Sequence, residues 1–360
     1  MQFGYFSHVW NRPGMTPAQR YAQLWRELAL ADELGFDYAF AVEHHFSPHE
    51  SWMPSPAVFC AGAAACTRRL RVGAMGYVAP LYEPMRILEE TAVLDHVLNG
   101  RLEIGLVSGI LPDYFRHYPK ADFQNRRAVT NEIVRLIKTA FADDKPFTFR
   151  GEYCTYEDVK LSVKPMQKPM PPIWLQSRDR DTLEFLAEQG VHTGYLLFLP
   201  RDEAAPRYRQ YLKTWAANGH RHKPHIGYWS LVYVDETDAA AVRKIAPYVR
   251  HAFGVVFGVG DVGGVDQQVL VDTYKKRGEL GAAEIARHMM DVDYLLDRGL
   301  VFAGSPDTVA RRLREAAGEG LFDTFHGEFN IGSMPEEDLM RSIRLFGQEV
   351  IPALRAFEPY

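Results

Sequence analysis

Three titratable side chains stand in a row at Glu43-His44-His45, directly after the apolar run Phe40-Ala41-Val42. The run reads as the end of a buried strand and the triplet as its carboxyl tip. In α/β folds, ligands and chemistry gather at that end of parallel strands. Imidazole titrates near neutrality, which suits acid/base work or contact with a cofactor. Neighbours on a strand point to opposite faces, so His44 and His45 form a matched pair only where the strand has ended. A bound metal needs about three converging protein ligands. The chain has no H-E-x-x-H, and His49-Glu50 lacks a second histidine at that spacing, so no metal site is expected. The plainer reading of either histidine is an imidazole near the surface with a core partner.

A second cluster is Gln176-Ser177-Arg178-Asp179-Arg180-Asp181-Thr182. It lies between the apolar Ile173-Trp174-Leu175 and a helix bearing Leu183, Leu186 and Ala187. Hydroxyls, arginines and free amides meeting at a helix start make an anion site suited to a phosphate. Simple capping by Asp179 or Asp181 is the competing reading, and the two are compatible. Val72-Gly73-Ala74-Met75-Gly76-Tyr77 puts small residues at a strand end, for a flat ligand or for tight packing. Gly258-Val259-Gly260-Asp261-Val262-Gly263 matches G-x-G-x-x-G literally, but a helix over 238–253 precedes it where a nucleotide fold needs a strand. A hinge is the better reading.

These tips need a scaffold, and the sequence supplies a steady alternation. Thr16-Pro17, Ser55-Pro56, Glu83-Pro84 and Ser305-Pro306-Asp307 open helices. Gly35, Gly100, Gly190 and Gly320 end them, each followed closely by a strand. Strands are predicted near 2–8, 37–43, 70–78, 101–107, 172–176, 191–197, 225–234 and 321–330. Eight strand–helix units point to an α/β fold, a (β/α)8 TIM barrel, read as one domain over 1–360. Two insertions break the rhythm: a β-hairpin over 147–163 before strand five, and a lid-like segment over about 257–300 before strand eight. Leu339, Ile343, Phe346 and Val350 mark one face of a closing helix.

Composition narrows the class. The 360 residues are 47% hydrophobic and 24% charged, with net charge −5, so no basic field calls for nucleic acid or an anionic membrane. Cys60, Cys66 and Cys154 are odd in number and form no C-x-x-C, which fits a reducing, cytoplasmic setting. No secretory leader is visible at the start, and the weakly polar run from Val58 to Cys66 is too short to cross a bilayer.

In order and spacing, the pieces resemble the bacterial-luciferase-like flavin monooxygenase family over nearly the full length. They are Glu43-His44-His45-Phe46, Ser55-Pro56, Val72 to Gly76, and Leu94-Asp95-His96 with Asn99-Gly100-Arg101-Leu102-Glu103-Ile104-Gly105. Pro171-Pro172-Ile173-Trp174, Gly304-Ser305-Pro306 and the closing helix complete the set. The resemblance implies a barrel that takes reduced FMN from a separate flavin reductase. With O2 this gives a flavin hydroperoxide that oxygenates a small organic substrate. It implies that His44, with His45 beside it, is catalytic at the flavin's reactive edge. Met75-Gly76 aligns with a non-prolyl cis peptide under the ring. Ser177, Arg178 and Thr182 fall at the phosphate and Gln176 near the ring edge, while Glu43, Val107 and Ser108 belong to the same cofactor site.

Luciferases proper carry a reactive cysteine and an arginine where this chain has Val107-Ser108, which speaks against aldehyde-to-light chemistry. The phosphate site also follows strand five, not strands seven and eight as in most such barrels. Phe6, His8, Trp10, Tyr77, Tyr195 and Trp229 are read as the substrate wall, against a plainer reading of each aromatic as core. Two alternatives stay open. One is a deazaflavin-dependent oxidoreductase on the same barrel. The other is a non-catalytic flavin-binding protein, if Trp10, Tyr77 and Trp229 fill the pocket. The family's habit implies a homodimer through helices two and three, where Ala61, Ala64 and Ala65 offer a small-residue face.

Overall fold

The computed structural model describes residues 1–109, 112–196, 198–259 and 264–360. Twelve strands occur among them: β1 Gln2–Ser7, β2 Tyr38–Ala41, β3 Arg71–Ala74, β4 Tyr77–Val78, β5 Leu102–Val107, β6 Phe147–Arg150, β7 Thr155–Val159, β8 Ile173–Leu175, β9 Thr193–Leu196, β10 Ile226–Val234, β11 Phe302–Gly304 and β12 Thr324–Glu328. Each of the eight strands expected from the sequence is present.

The barrel follows from the pairings. β1 pairs with β12 and β2, β2 with β3, β3 with β5, and β5 with β8, all parallel. On the other side β12 pairs with β10, and β10 with β9, again parallel. β8 and β9 complete the circuit: the Leu175 amide donates to the His192 carbonyl at 3.0 Å, and the His192 amide to the Ile173 carbonyl at 2.9 Å. β6 and β7 form the expected antiparallel hairpin.

β11 was not anticipated. It pairs with Val232–Val234, the last third of the nine-residue, wholly buried β10. A long apolar strand that outruns its neighbours exposes backbone groups, and β11 satisfies them.

Most helix signals behave as their chemistry predicts, although Ser55 makes no capping hydrogen bond ahead of helix Pro56–Cys66. Thr16 forms a full capping box with Gln19 ahead of helix Pro17–Glu33. Gly190 closes helix Arg180–Gln189 in the left-handed region. Gly320, however, stays within helix Pro306–Gly320, and Leu321 takes the left-handed turn at φ 56°. Gly320 is small for another reason: a Cβ there would lie 2.0 Å from the Tyr195 hydroxyl.

Inside the ring, Phe6, Tyr38, Phe40, Met75, Trp174 and Trp229 form an apolar cluster separate from the larger core between sheet and helices. Buried polar groups share this lumen. Glu103 pairs with Arg71 and accepts from the Trp174 indole N–H at 2.7 Å, while His326 stacks on Trp229 at 4.3 Å. The glycines at the end of β3 serve strand packing. A Cβ on Gly76 would meet the Gly105 backbone at 2.6 Å, and one on Gly105 would meet the Ala74 carbonyl oxygen at 1.7 Å. The Met75-Gly76 bond is cis.

Insertion residues after helix Asp238–Phe257 form helices Gln267–Lys276, Leu280–His288 and Val292–Asp297. Gly258 caps the preceding helix in the left-handed region, so a helix does stand where a nucleotide motif would need a strand. The rest of that motif, Gly260 to Gly263, lies outside the described residues.

Candidate active site

β2 ends at Ala41, so the residues after Val42 are free of strand alternation. His44 and His45 then diverge. His45 Nε2 lies 2.7 Å from Glu43 Oε1, its Nδ1 3.3 Å from the Tyr118 hydroxyl, and it is buried. Glu43 also accepts from the Tyr82 hydroxyl at 3.0 Å and the Val78 amide at 2.8 Å. Both its oxygens are therefore taken by protein groups, and it anchors the chain just past Gly76.

His44 turns the other way, placing Nδ1 2.6 Å from Glu50 Oε1. Glu50 is held there by a turn in which its amide donates to the Ser47 carbonyl at 3.0 Å. His8, from the tip of β1, completes the group. Its ring meets that of His44 at 5.2 Å, and its Nε2 lies 3.9 Å from Glu50 Oε1. Its amide donates to Glu328 Oε1 at 2.9 Å, and its Nδ1 makes close contact with Glu328 Oε2. The backbone is strained next to His8 and just past the 43–45 triplet. Val9 and Phe46 sit at φ 58°, a conformation that a β-branched or bulky residue rarely adopts, and such outliers gather at functional sites.

Electrostatics follow from burial and pairing. Burial works against a charged His8, but Glu328, and then Glu50, outweigh it and hold its pKa above the ordinary imidazole value. Burial also works against ionised Glu50, yet the hydrogen bond and charge of His44, with His8 behind, hold its pKa below the usual carboxylate range. Deeper in the lumen the outcome reverses. Burial, then the nearby His225, pushes His326 down to about 3, and burial pushes His192 down as well.

The second cluster lies after β8. Asp179 caps helix Arg180–Gln189, accepting from the Thr182 amide at 3.0 Å and its hydroxyl at 2.8 Å. The Ser177 hydroxyl accepts from the Asp179 amide at 3.1 Å. Capping is thus realised, and it orients Ser177 and Thr182. Arg178 reaches the insertion: its Nη2 lies 2.6 Å from Glu279 Oε2, and its guanidinium is 5.8 Å from the Tyr274 ring centre. Arg207 steadies the same corner by donating to the Arg178 carbonyl at 2.6 Å.

The other expected residues divide. Phe6 and Trp10 flank His8, with ring centres at 5.3 and 5.7 Å. Met75 joins the lumen cluster, Val107 and Ser108 are half-buried at the tip of β5, and Gln176 follows β8. Trp229 is in the lumen but packed on His326, one inward step below Leu231. Tyr77 and Tyr195 are not brought to the group. Tyr77 packs on Tyr82 in the helix-side core, and Tyr195 packs on Tyr208 and donates to the Gly320 carbonyl. For Tyr195 strand alternation is the reason, since its neighbour Leu196 takes the inward position; for Tyr77 it is the break between β3 and β4, which follows the inward Met75.

Sequence reading missed Glu50, Glu328, Glu279 and Leu196. Glu328 carried a usable signal, an acid at the tip of the eighth core strand. Leu196 is 45% exposed at the tip of β9, as a residue lining an open mouth would be.

A family model described as luciferase-like monooxygenase matches residues 1–323. The chain belongs to that family. It is 29% identical over 194 residues to the oxygenase component of the flavin-dependent trigonelline monooxygenase of Acinetobacter baylyi; the match covers 53% of each chain, about half the relative's length. Among solved structures it resembles the oxygenating constituent of 3,6-diketocamphane monooxygenase of Pseudomonas putida, in complex with FMN. The TM-score is 0.78 at 20% identity, covering 98% of both chains. It also resembles an F420-dependent secondary alcohol dehydrogenase, with TM-score 0.69 at 17% identity and 98% and 99% coverage. At these identities the two structures establish the barrel. The family model, which spans most of the chain, adds that the chain is of luciferase-like monooxygenase type.

The lumen histidines set a pH dependence. Folded His326 stays neutral, while in the unfolded chain it takes up a proton below about 6.5. Folding therefore loses stability as pH falls from 6.5 toward the depressed folded value, and gains nothing from this group above 6.5. Between pH 6.5 and 5 the loss from His326 alone is about 1 to 2 kcal/mol. Urea unfolding across that range should show it, and His326→Gln should flatten the slope; an unchanged slope would rule the explanation out.

Proposed function

We propose that this chain is the FMN-dependent oxygenase of a two-component monooxygenase, acting with O2 on a small organic substrate and receiving reduced FMN from a flavin reductase. One observation carries the reading. His44 follows β2 and Arg178 follows β8, and because the ring strands are parallel, both loops open at the same end of the barrel. A single coenzyme lying across that end would meet both.

The residues fit a phosphate-tailed ring. Ser177, Arg178 and Thr182 would hold the phosphate at a helix N-terminus. Gln176, Met75, Gly76, Val107 and Ser108 would flank the ring. Reduced flavin, when bound, supplies the electrons and the carbon at which O2 is activated. His44 holds a proton on a nitrogen steered by Glu50, as a positioned acid/base group requires. Phe6, Trp10 and Leu196 would exclude water from the mouth. We place His45 and Glu43 behind this group, where they fix the chain after Gly76. The trigonelline relative is named as an oxygenase component, which supports a reductase partner.

A deazaflavin reading is favoured by the F420-dependent dehydrogenase on the same barrel. A ligand selective for the native state raises its melting temperature, by about 2.7 kcal/mol of stabilisation at a hundredfold excess over Kd. FMN should therefore raise the Tm by several degrees and F420 should not. Protection by F420 alone would install the deazaflavin reading, and protection by neither would remove both.

Arg178 faces a carboxylate, Glu279, that a phosphate dianion must replace. Glu279→Gln removes the competing charge at constant size. It should tighten FMN binding about two- to fivefold and leave riboflavin, which lacks the phosphate, unchanged. Equal effects on both ligands would refute this competition.

We further propose that residues 1–360 act as one catalytic unit, paired as a homodimer in the cytoplasm. Val58, Ala61 and Ala65 line one exposed stripe of helix Pro56–Cys66, and Val93 and Val97 are exposed on helix Pro84–Val97. That apolar stripe supports a partner face. No described helix is long and apolar enough to cross a membrane. Sedimentation should give the mass of two chains, falling to one in Val58→Glu; a wild-type monomer would dismiss the dimer.

A further inference from the structure

The sequence offered no histidine pair at metal-ligand spacing, but the fold brings distant ligands together. His8, His44 and Glu50 each present a donor atom, and all three atoms lie within 4.8 Å of one another. We propose that His8, His44 and Glu50 form a binding site for a borderline divalent transition metal, Zn2+ or Fe2+ in class, with Glu328 as the outer carboxylate behind His8.

Three features carry this. First, the ligand set is two imidazoles and one carboxylate, which suits Zn2+ or Fe2+ and leaves a coordination position open. Second, His8 already has the support that a metal ligand needs. Its Nδ1 is held by Glu328, which leaves Nε2, the nitrogen facing Glu50, as the donor. A carboxylate on the far side of a ligating histidine fixes its tautomer and strengthens it as a donor. Third, neither carboxylate has a lysine or arginine partner among the described residues. Glu50 and Glu328 are 3% and 1% exposed, and among the described residues their ion-pair partners are only these two imidazoles. Buried charges are paired or coordinate metals.

The distances need a modest adjustment. Ligands about 2.0–2.2 Å from zinc stand roughly 3.3 Å apart in a tetrahedron. The His44–Glu50 contact of 2.6 Å must open and the His8–Glu50 separation of 3.9 Å must close, each by less than about 1 Å. The donor atoms of His8 and His44, within 4.8 Å of each other, must close by at most about 1.5 Å. Both imidazoles are a little under one-fifth exposed, so an ion has a route in. A bound ion would occupy the His44 nitrogen that Glu50 now holds. Metal would thus compete with the proton role, although its binding does not depend on that role.

The test uses the full-length, flavin-free protein and the metals themselves. Co2+ should bind one per chain with the intense visible bands of four- or five-coordination, and one equivalent of Zn2+ should abolish them. Calorimetry should give a Zn2+ Kd in the micromolar range or below. Glu50→Gln and His8→Gln should each weaken it at least about tenfold, as should Glu328→Gln acting through His8. His49→Ala, at an exposed position outside the trio, should leave it unchanged. Only the weak bands of octahedral Co2+ in the wild type, or a Zn2+ affinity that survives Glu50→Gln, would overturn the site. Where a variant fails to fold by circular dichroism, the wild-type cobalt spectrum decides alone.

Discussion

Everything at the mouth of this barrel depends on strands that run the same way. A parallel ring sends every strand-to-helix loop out at one end, whatever the distance in sequence. β1 is the pivot, because it lies between β12 and β2. The tips of these three neighbours carry Glu328, His8 and the segment from His44 to Glu50. Residues 320 positions apart, His8 and Glu328, meet because their strands are hydrogen-bonded side by side. One antiparallel strand among the three would send its tip to the opposite pole.

The barrel interior holds one residue type in two opposed electrostatic settings. At the closed end, His192 and His326 are buried among aromatic rings, and desolvation holds them neutral. At the open end, His8 is half-buried, and two carboxylates reverse the balance of desolvation. Pairing against desolvation decides which histidines can carry a proton near neutrality. The lumen is therefore quiet below and reactive above, although its polar groups are similar throughout.

Much of the fold was legible because barrel rules act locally. Helix caps, glycine stops and apolar runs each fix a short element, and eight repeats of one unit leave few topologies. β11 escaped because its three residues carry little periodicity and form only to cover the end of β10. Local geometry was legible where one tip supplies it, as in the Asp179 cap that holds Thr182. The site was not legible where chemistry is shared between tips: Glu50 and Glu328 matter only through His44 and His8. Tyr77 and Tyr195 were misplaced because a strand tip tells where a residue lies along the axis. Which way it faces depends on a register that one break, such as that at Gly76, can reset.

The triplet at 43–45 illustrates why adjacent residues need not share a task. Had β2 continued through them, alternation would have placed Glu43 and His45 on one face and His44 on the other. The strand stops at Ala41, yet the division persists, because each side chain has its own partner. Glu43 and His45 bond to one another and to the chain after Gly76, while His44 is drawn to Glu50. The first pair is buried and saturated with protein partners, which makes it rigid. The second keeps an exposed edge and a neighbouring imidazole. A fixed post beside a group with a free edge is the arrangement that a positioned acid/base residue requires, since its own orientation must be settled before a ligand arrives.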